Sequence, residues 1–371
     1  MTGDAPQHRH ACCAPARDAL GQDDPPPRDA TAATAFPPAP PRPAGHAGPP
    51  AGHAGAPAGH AGAPAGRARH EIAQCRVPAL SFTMGDAQGD GLAADGERPL
   101  HEVTLDAFEI DATAVTTAQF ARFAAETGYV SDAERFGVSA VFHLLVDAPS
   151  EAIVGPVPGV PWWISVRGAD FRTPAGPASH AAQADPSHPA VHISWHDAQA
   201  YCAWAGRRLP TEAEWEAASR GGIDGARFPW GDAPIDGSDG VWRANVWQGT
   251  FPAHNSAADG WIGTAPAAHY APNGYGLFQT VGNVWEWCAD GFAADAYERH
   301  VAHDPRGPAT ARERVLRGGS YLCHPSYCNR FRNAGRSRNT PDSTMGNAGF
   351  RTVSLREDPR RPLLPLRALG D

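Results

Sequence analysis

The chain has 371 residues, 31 arginines, no lysine and 40 acidic side chains, a formal net charge of −9 with histidine neutral. That balance argues against nucleic-acid phosphate as a partner, and no apolar run is long enough to cross a bilayer. The opening residues lack the continuous apolar stretch of a secretory signal, so a cytoplasmic protein, and a monomer, is the expectation.

Residues 1–70 hold 14 prolines and 9 glycines, and after Met1 their only large apolar side chains are Leu20 and Phe36. So little apolar surface does not offset the entropy of ordering, and the stretch reads as a disordered tail. Within it GHAGPPA, GHAGAPA and GHAGAPA begin at Gly45, Gly52 and Gly59, a low-complexity linker with repeats too short for a solenoid. The tail's HRHACC, with Cys12 and Cys13, has soft-metal ligands but no supporting residues around them, and reads as incidental. Residues 71–355 are rich in large apolar side chains and form one domain able to bury a sizeable core. Residues 356–371 read as a second tail.

Through the domain, VTLDAFEID (Val103–Asp111) alternates in part and reads as a strand. TTAQFARFAAETG follows, with Phe120, Phe123 and Ala124 on one face and Gly128 as a stop, which predicts an amphipathic helix. The proline-rich stretch Asp147–Pro189 reads as an extended surface insertion. SWHDAQAYCAWAG is a second helix: Ser194 caps it, Ala198, Tyr201, Cys202 and Ala205 share a face, and Gly206 ends it. In LPTEAEWEAASRGG, Thr211 stands three residues before Glu214, the capping box of a third. Beyond Gly221, glycine, proline, asparagine and aspartate interrupt nearly every apolar run as far as Asn347, predicting short strands and long ordered loops. The fold class expected is α+β with little regular secondary structure.

RGGSYLCHPSYCNRFR (residues 317–332) holds Cys323 and Cys328, four residues apart rather than at the two-residue gap of a zinc knuckle or redox pair. Positions i and i+5 face opposite sides of a strand and lie roughly 140° apart on a helix, so the sulfurs converge only if the chain bends. Pro325, Gly318 and Gly319 supply a loop that can bend. Spacing alone leaves three outcomes: unrelated buried thiols first, then a redox disulfide, then a metal site. Two thiolates without histidine or carboxylate suit a soft, low-coordinate cation, Cu(I) over Zn(II).

RVLRGGSYLCHPSYCNRFRNAGRSRNTPDSTMGNAGFR (Arg314–Arg351) resembles the C-terminal signature of the formylglycine-generating enzymes. GRRLPTEAEWEAASRGG, NGYGLFQTVGNVWEW and GYVSDAERFGVSAVF resemble other blocks of that family, and the likeness runs from about Phe82 to Arg351. It implies a fold akin to C-type lectins and an oxidase that converts a sulfatase cysteine, in a Cys-x-Pro-x-Arg motif, to formylglycine with dioxygen. It also implies Cu(I) held by Cys323 and Cys328, the substrate thiolate as third ligand, and a thioaldehyde that hydrolyses to the aldehyde. Ser320 and Tyr327 would line the oxygen-side pocket, with His324 and Asn347 as weaker candidates.

Ca(II) is implied as well. One set is Asn245 and Asp259 side chains with the carbonyls of Val246 and Trp261; a second is Glu286 with the carbonyls of Gly282 and Val284, and Gln279 where the family usually has asparagine. Hard oxygen donors on loops suit that ion, although asparagine and aspartate also serve simply as turn formers. Positions that carry disulfides in extracytoplasmic relatives correspond to Ser219, Asn333 and Thr352, leaving Cys202 unpartnered. Two other classes compete: an iron-dependent sulfoxide synthase, whose histidine motif is matched only by HPAVHIS with His188 and His192, and a non-catalytic lectin-like binding module.

Overall fold

The structure, a computed structural model, describes residues 15–20, 70–179, 185–299 and 301–355. Its α-helices start where a hydroxyl side chain precedes, by three residues, a polar side chain able to reach back. Helix α1 (Thr117–Thr127) opens on Thr116 and Gln119 and stops at Gly128, φ 68°. Helix α2 (Asp132–Phe136) opens on Ser131 and Glu134. Helix α3 (Trp195–Ala205) opens on Ser194 and Asp197, and α4 (Glu212–Arg220) on Thr211 and Glu214. Each reciprocal cap contributes about 1 kcal/mol. The sequence reading missed α2 because five residues are too few to show a periodic face.

Among the described residues, fifteen short strands make five small sheets. One orders β1 (Gln74–Val77), β4 (Phe108–Asp111), β15 (Val353–Ser354) and β8 (Arg207–Arg208). Another orders β13 (Arg336–Asn339), β12 (Arg314–Arg317), β11 (Trp285–Gly291) and β14 (Ala348–Gly349). A three-stranded sheet orders β5 (Val138–Phe142), β7 (Val160–Arg167) and β6 (Ile153–Val157). Two ribbons pair β2 (Leu80–Met84) with β3 (His101–Leu105), and β9 (Gly249–Thr250) with β10 (His254–Asn255). The α+β class, with few helices and long loops, is as expected.

Three local expectations are corrected. Val103–Asp111 is not one strand: the chain leaves the β2–β3 ribbon at Leu105 and enters a different sheet at Phe108. Asp147–Pro189 is not an extended surface insertion, because Ile153–Arg167 forms β6 and β7 and drives Trp163 fully into the core. Its proline count misled, since Pro156 sits on the edge strand, where no ladder hydrogen bond is lost. Within the N-terminal tail, residues 15–20 pack onto the domain. Leu20 is 2% exposed in the main core, Asn339 Nδ2 donates to the Pro15 carbonyl at 3.1 Å, and Arg17 N donates to Ser343 Oγ at 3.0 Å. A single leucine was enough once a groove existed for it. The remaining tail readings, residues 1–14, 21–69 and 356–371, lie outside the described residues.

The largest core cluster joins α1, α3, β7 and β11 through Phe120, Trp163, Tyr201 and Trp285, and it runs directly into Tyr321, Cys323, Cys328 and Phe331. The loop carrying both thiols is thus part of the core rather than an appendage.

Candidate active site

Strand β12 ends at Arg317, and the next two residues reverse the chain in left-handed backbone, Gly318 at φ 92° and Gly319 at φ 77°. No side chain fits there: a Cβ on Gly318 would sit 2.5 Å from the Thr280 carbonyl, and one on Gly319 would sit 2.9 Å from Phe331 and 3.2 Å from Cys323 Sγ. Past this turn Cys323 N donates to the Ser320 carbonyl at 2.9 Å, while Tyr327 N and Cys328 N both donate to the His324 carbonyl. Two successive tight turns fold the second cysteine back over the first. The sulfurs lie 3.5 Å apart, both residues are 1% exposed, and no disulfide joins them.

Groups from the same loop and from four other segments gather around the pair. Ser320 N donates to Cys323 Sγ at 3.4 Å, and Ser320 Oγ accepts from Asn347 Nδ2 at 2.9 Å and Leu322 N at 3.3 Å. Trp247 N donates to the Cys323 carbonyl at 3.0 Å. The Tyr327 ring stacks on Phe251, centroids 4.0 Å apart, and meets Trp162 edge-on at 5.4 Å. Arg330, two residues past Cys328, brings Nη1 to 3.9 Å from Cys328 Sγ while Asp95 holds the rest of its guanidinium.

Of the residues singled out by sequence, the structure gathers Cys323, Cys328, Ser320, Tyr327 and Asn347. It turns His324 away, half exposed, with Nδ1 on Ser326 Oγ at 2.7 Å. Sequence reading missed Trp162, Phe251, Asp95 and Arg330. The signal for the last two was the acidic run GDAQGDGLAADGE facing the arginines of CNRFRNAGR, a complementarity visible only when segments over two hundred residues apart are set together.

The first set of expected calcium ligands lies on two loops joined by Gln248, whose Nε2 donates to the Val246 carbonyl at 3.0 Å and whose Oε1 accepts from Asp259 N at 2.9 Å. Asn245 is buried beside them, its Nδ2 donating to Gly263, and Trp261 N donates to Asp259 Oδ1. In the second set Gly282 lies against Asn245 and Val246, Val284 packs with Ala114 and Val191, and Gln279 Oε1 is buried with no hydrogen-bond partner among the described residues. Glu286 is engaged with an arginine. Its two oxygens accept from the Arg351 guanidinium at 2.7 Å each, and one also accepts from Trp215 Nε1, so a calcium ion there would share the carboxylate with that cation.

His192 likewise has both ring nitrogens engaged, by Ser139 Oγ at 2.7 Å and the Pro174 carbonyl at 2.8 Å, and burial pushes its pKa down to about 4. His188 binds Thr264 Oγ1 at 2.8 Å. No iron-type histidine site forms from the two. Ser219 Oγ donates to Asn333 Oδ1 at 2.8 Å, a polar bond between two of the positions for which the resemblance implied cysteine in other members. Cys202 is free and buried, and burial pushes its thiol pKa up.

The sulfatase-modifying factor enzyme 1-like domain model matches residues 61–355. The formylglycine-generating enzyme of Streptomyces coelicolor is 58% identical over 281 residues, 76% of this chain and 88% of that one. A Mus musculus protein named inactive C-alpha-formylglycine-generating enzyme 2 is 42% identical over 294 residues, 78% of this chain and 88% of that one. In fold, PvdO from Pseudomonas aeruginosa matches with TM-score 0.55 at 23% identity, over 76% of this chain and 93% of that one. A relative named as an enzyme and one named inactive both match this chain over most of their length, so activity has to be argued from the site. Domain model and relatives agree that this chain belongs to the sulfatase-modifying factor enzyme 1-like family.

Proposed function

We propose that the protein oxidises the cysteine of a Cys-x-Pro-x-Arg segment in sulfatase polypeptides to formylglycine, with dioxygen as acceptor and Cu(I) held by Cys323 and Cys328. The supporting observation is the sulfur pair itself. At metal–sulfur bonds of about 2.3 Å, two thiolates sharing one ion lie no more than about 4.6 Å apart, and the pair stands at 3.5 Å. That is also well beyond a disulfide bond of about 2.05 Å. Bound there, Cu(I) would supply the one-electron chemistry with dioxygen that protein side chains lack.

The chain's own residues supply the rest. Ser320 Oγ already accepts two hydrogen bonds, which leaves its O–H as the donor it can offer a substrate. The Trp162, Phe251 and Tyr327 rings pack together next to Cys328 in the same apolar cluster as both thiols, which would keep water away from a reacting thiol. Because both cysteines are buried, substrate entry requires this cover to part, and half-exposed Tyr327, adjoining Cys328, is the side chain placed to move. Removal of two electrons and two protons from the substrate CH2–SH gives CH=S, with dioxygen, the proposed acceptor, taking them up as hydrogen peroxide, and water then replaces the sulfur, which leaves as hydrogen sulfide. The net charge of −9 suits a substrate arginine. Ca(II) at Asn245, Val246, Asp259 and Trp261 would brace the loop that delivers Trp247 to the Cys323 carbonyl.

The test is a Cys-x-Pro-x-Arg peptide incubated under air with added copper and followed by mass spectrometry. The expected outcome is the aldehyde product from the native chain and none from Cys323→Ser, which also loses Cu(I) affinity in an anaerobic titration. A Cys323→Ser chain that binds and oxidises as before sinks the assignment.

A further inference from the structure

Arg330 is 2% exposed and Asp95 1%. Nε and Nη2 of the guanidinium donate to the two Asp95 oxygens at 2.6 and 3.0 Å, a two-toothed contact that fixes the plane of the group. Nη1 then lies 3.9 Å from Cys328 Sγ, and that sulfur 3.5 Å from Cys323 Sγ. Asp95 comes from a 3-10 turn, Ala93–Asp95, in a distant part of the sequence.

Burying a guanidinium is costly unless anions match it. Besides its contact with Asp95, the guanidinium places Nη1 against a sulfur, and a neutral thiol is a poor acceptor. Two thiolates around one monovalent cation carry a net charge of −1, and a fixed positive charge at the rim of that complex offsets it. Around a divalent cation the same two thiolates are neutral, and the guanidinium gains nothing. The site therefore has an electrostatic preference built into it, separate from the softness of its donors.

Resting on the reading of Cys323 and Cys328 as metal ligands, we infer that Arg330, held by Asp95, is a positioning residue that sets the affinity and valence preference of the site: its charge favours a monovalent soft cation over a divalent one. Arg332 is the internal control. It lies on the same loop with its guanidinium paired to Glu97 at 2.9 Å, so its loss disturbs the loop without removing the charge at the sulfur.

The experiment is an anaerobic competition titration of the full chain with Cu(I) and, separately, Cd(II). Cys323→Ser serves as the reference that subtracts binding by Cys12 and Cys13, and Tm is recorded for every variant. Arg330→Gln is expected to weaken Cu(I) about 10- to 100-fold and to leave Cd(II) nearly unchanged, with part of the Cu(I) affinity recovered in Arg330→Lys. Arg332→Gln is expected to keep the native ratio of the two affinities whatever its Tm. Equal losses of both metals in Arg330→Gln, or no loss of either, overturn the inference.

If Arg330→Gln does not fold, Asp95→Asn decides. Removing that carboxylate leaves the Arg330 charge unshared, so the Cu(I)-to-Cd(II) ratio rises, and an unchanged ratio overturns the role. A native chain that binds no Cu(I) through its cysteines defeats the underlying reading. Tight native binding with a ratio unmoved in Arg330→Gln defeats only the role of Arg330.

Discussion

Gly319→Ala puts a methyl group into the turn that brings the two sulfurs together. The native φ of 77° is left-handed, and the added Cβ meets Phe331 Cα and Cβ at 2.9 Å and Cys323 Sγ at 3.2 Å. An L-residue in that backbone region costs about 1–2 kcal/mol, and overpacking a filled interior costs a further 1–3 kcal/mol or so, for a total of about 2–5 kcal/mol. Gly128→Ala separates the two contributions, because Gly128 has nearly the same φ, 68°, with nothing within 4 Å of its Cβ position. Urea denaturation of the two variants is expected to show about 1–2 kcal/mol lost at Gly128 and at least about 1 kcal/mol more at Gly319. Relief of the clash moves either Phe331 or the Cys323 sulfur. Peptide oxidation by Gly319→Ala should therefore fall on the order of a hundredfold, the cost of misplacing a reacting group by about 1 Å. If Gly319→Ala is no less stable than Gly128→Ala and oxidises peptide at the native rate, the turn does not set the sulfur geometry as argued.

Two other outcomes follow from buried groups. Burial holds His192 neutral, with its pKa down at about 4 against an ordinary 6.5. The unfolded chain therefore binds a proton that the folded chain refuses, and stability falls as pH drops from 6.5 toward 4, by about 3 kcal/mol at most. Urea midpoints of native and His192→Asn chains should converge across that window, and parallel pH curves would dispose of the assignment. Ca(II) at 100 times its Kd is expected to raise stability by about 2.7 kcal/mol, with EGTA reversing the gain and Asp259→Asn abolishing it. Glu286→Gln should lower Tm equally with and without Ca(II), since its partner is Arg351; a calcium response lost in Glu286→Gln would show that carboxylate to be a ligand.

What could be read from the sequence was what is encoded locally. The helices over Thr117–Thr127, Trp195–Ala205 and Glu212–Arg220 were readable because an apolar face, a cap such as Ser194 or Thr211, or a glycine stop such as Gly128 or Gly206 lies within one short window. The cysteine spacing was readable as a question, but its answer depended on a left-handed pair of glycines and on two carbonyls, Ser320 and His324, that turn the chain back. Trp163 was hidden by the prolines around it, since composition averages over a window while a strand needs only alternate positions turned inward. The docking of Leu20 was hidden for the converse reason: a tail with almost no apolar surface still finds a site when its one leucine meets a preformed groove.

The least readable part is also what holds the candidate site in place. Five fully buried arginines, Arg317, Arg330, Arg332, Arg336 and Arg351, lie between β12 and the end of the domain. Each pairs with an acid from elsewhere in the chain: Glu212 and Glu216 on α4, Asp95 and Glu97 on the loop before β3, Glu286 on β11. Such pairs add little net stability over apolar packing, but breaking one leaves an uncompensated charge and costs about 3–5 kcal/mol. They therefore penalise alternative arrangements more than they reward this one. In a domain whose strands are too short to enforce register over long distances, that penalty locates the segment after β12 against the rest of the chain. The separation of the two sulfurs consequently depends on carboxylates that no reading of the cysteine loop alone would include.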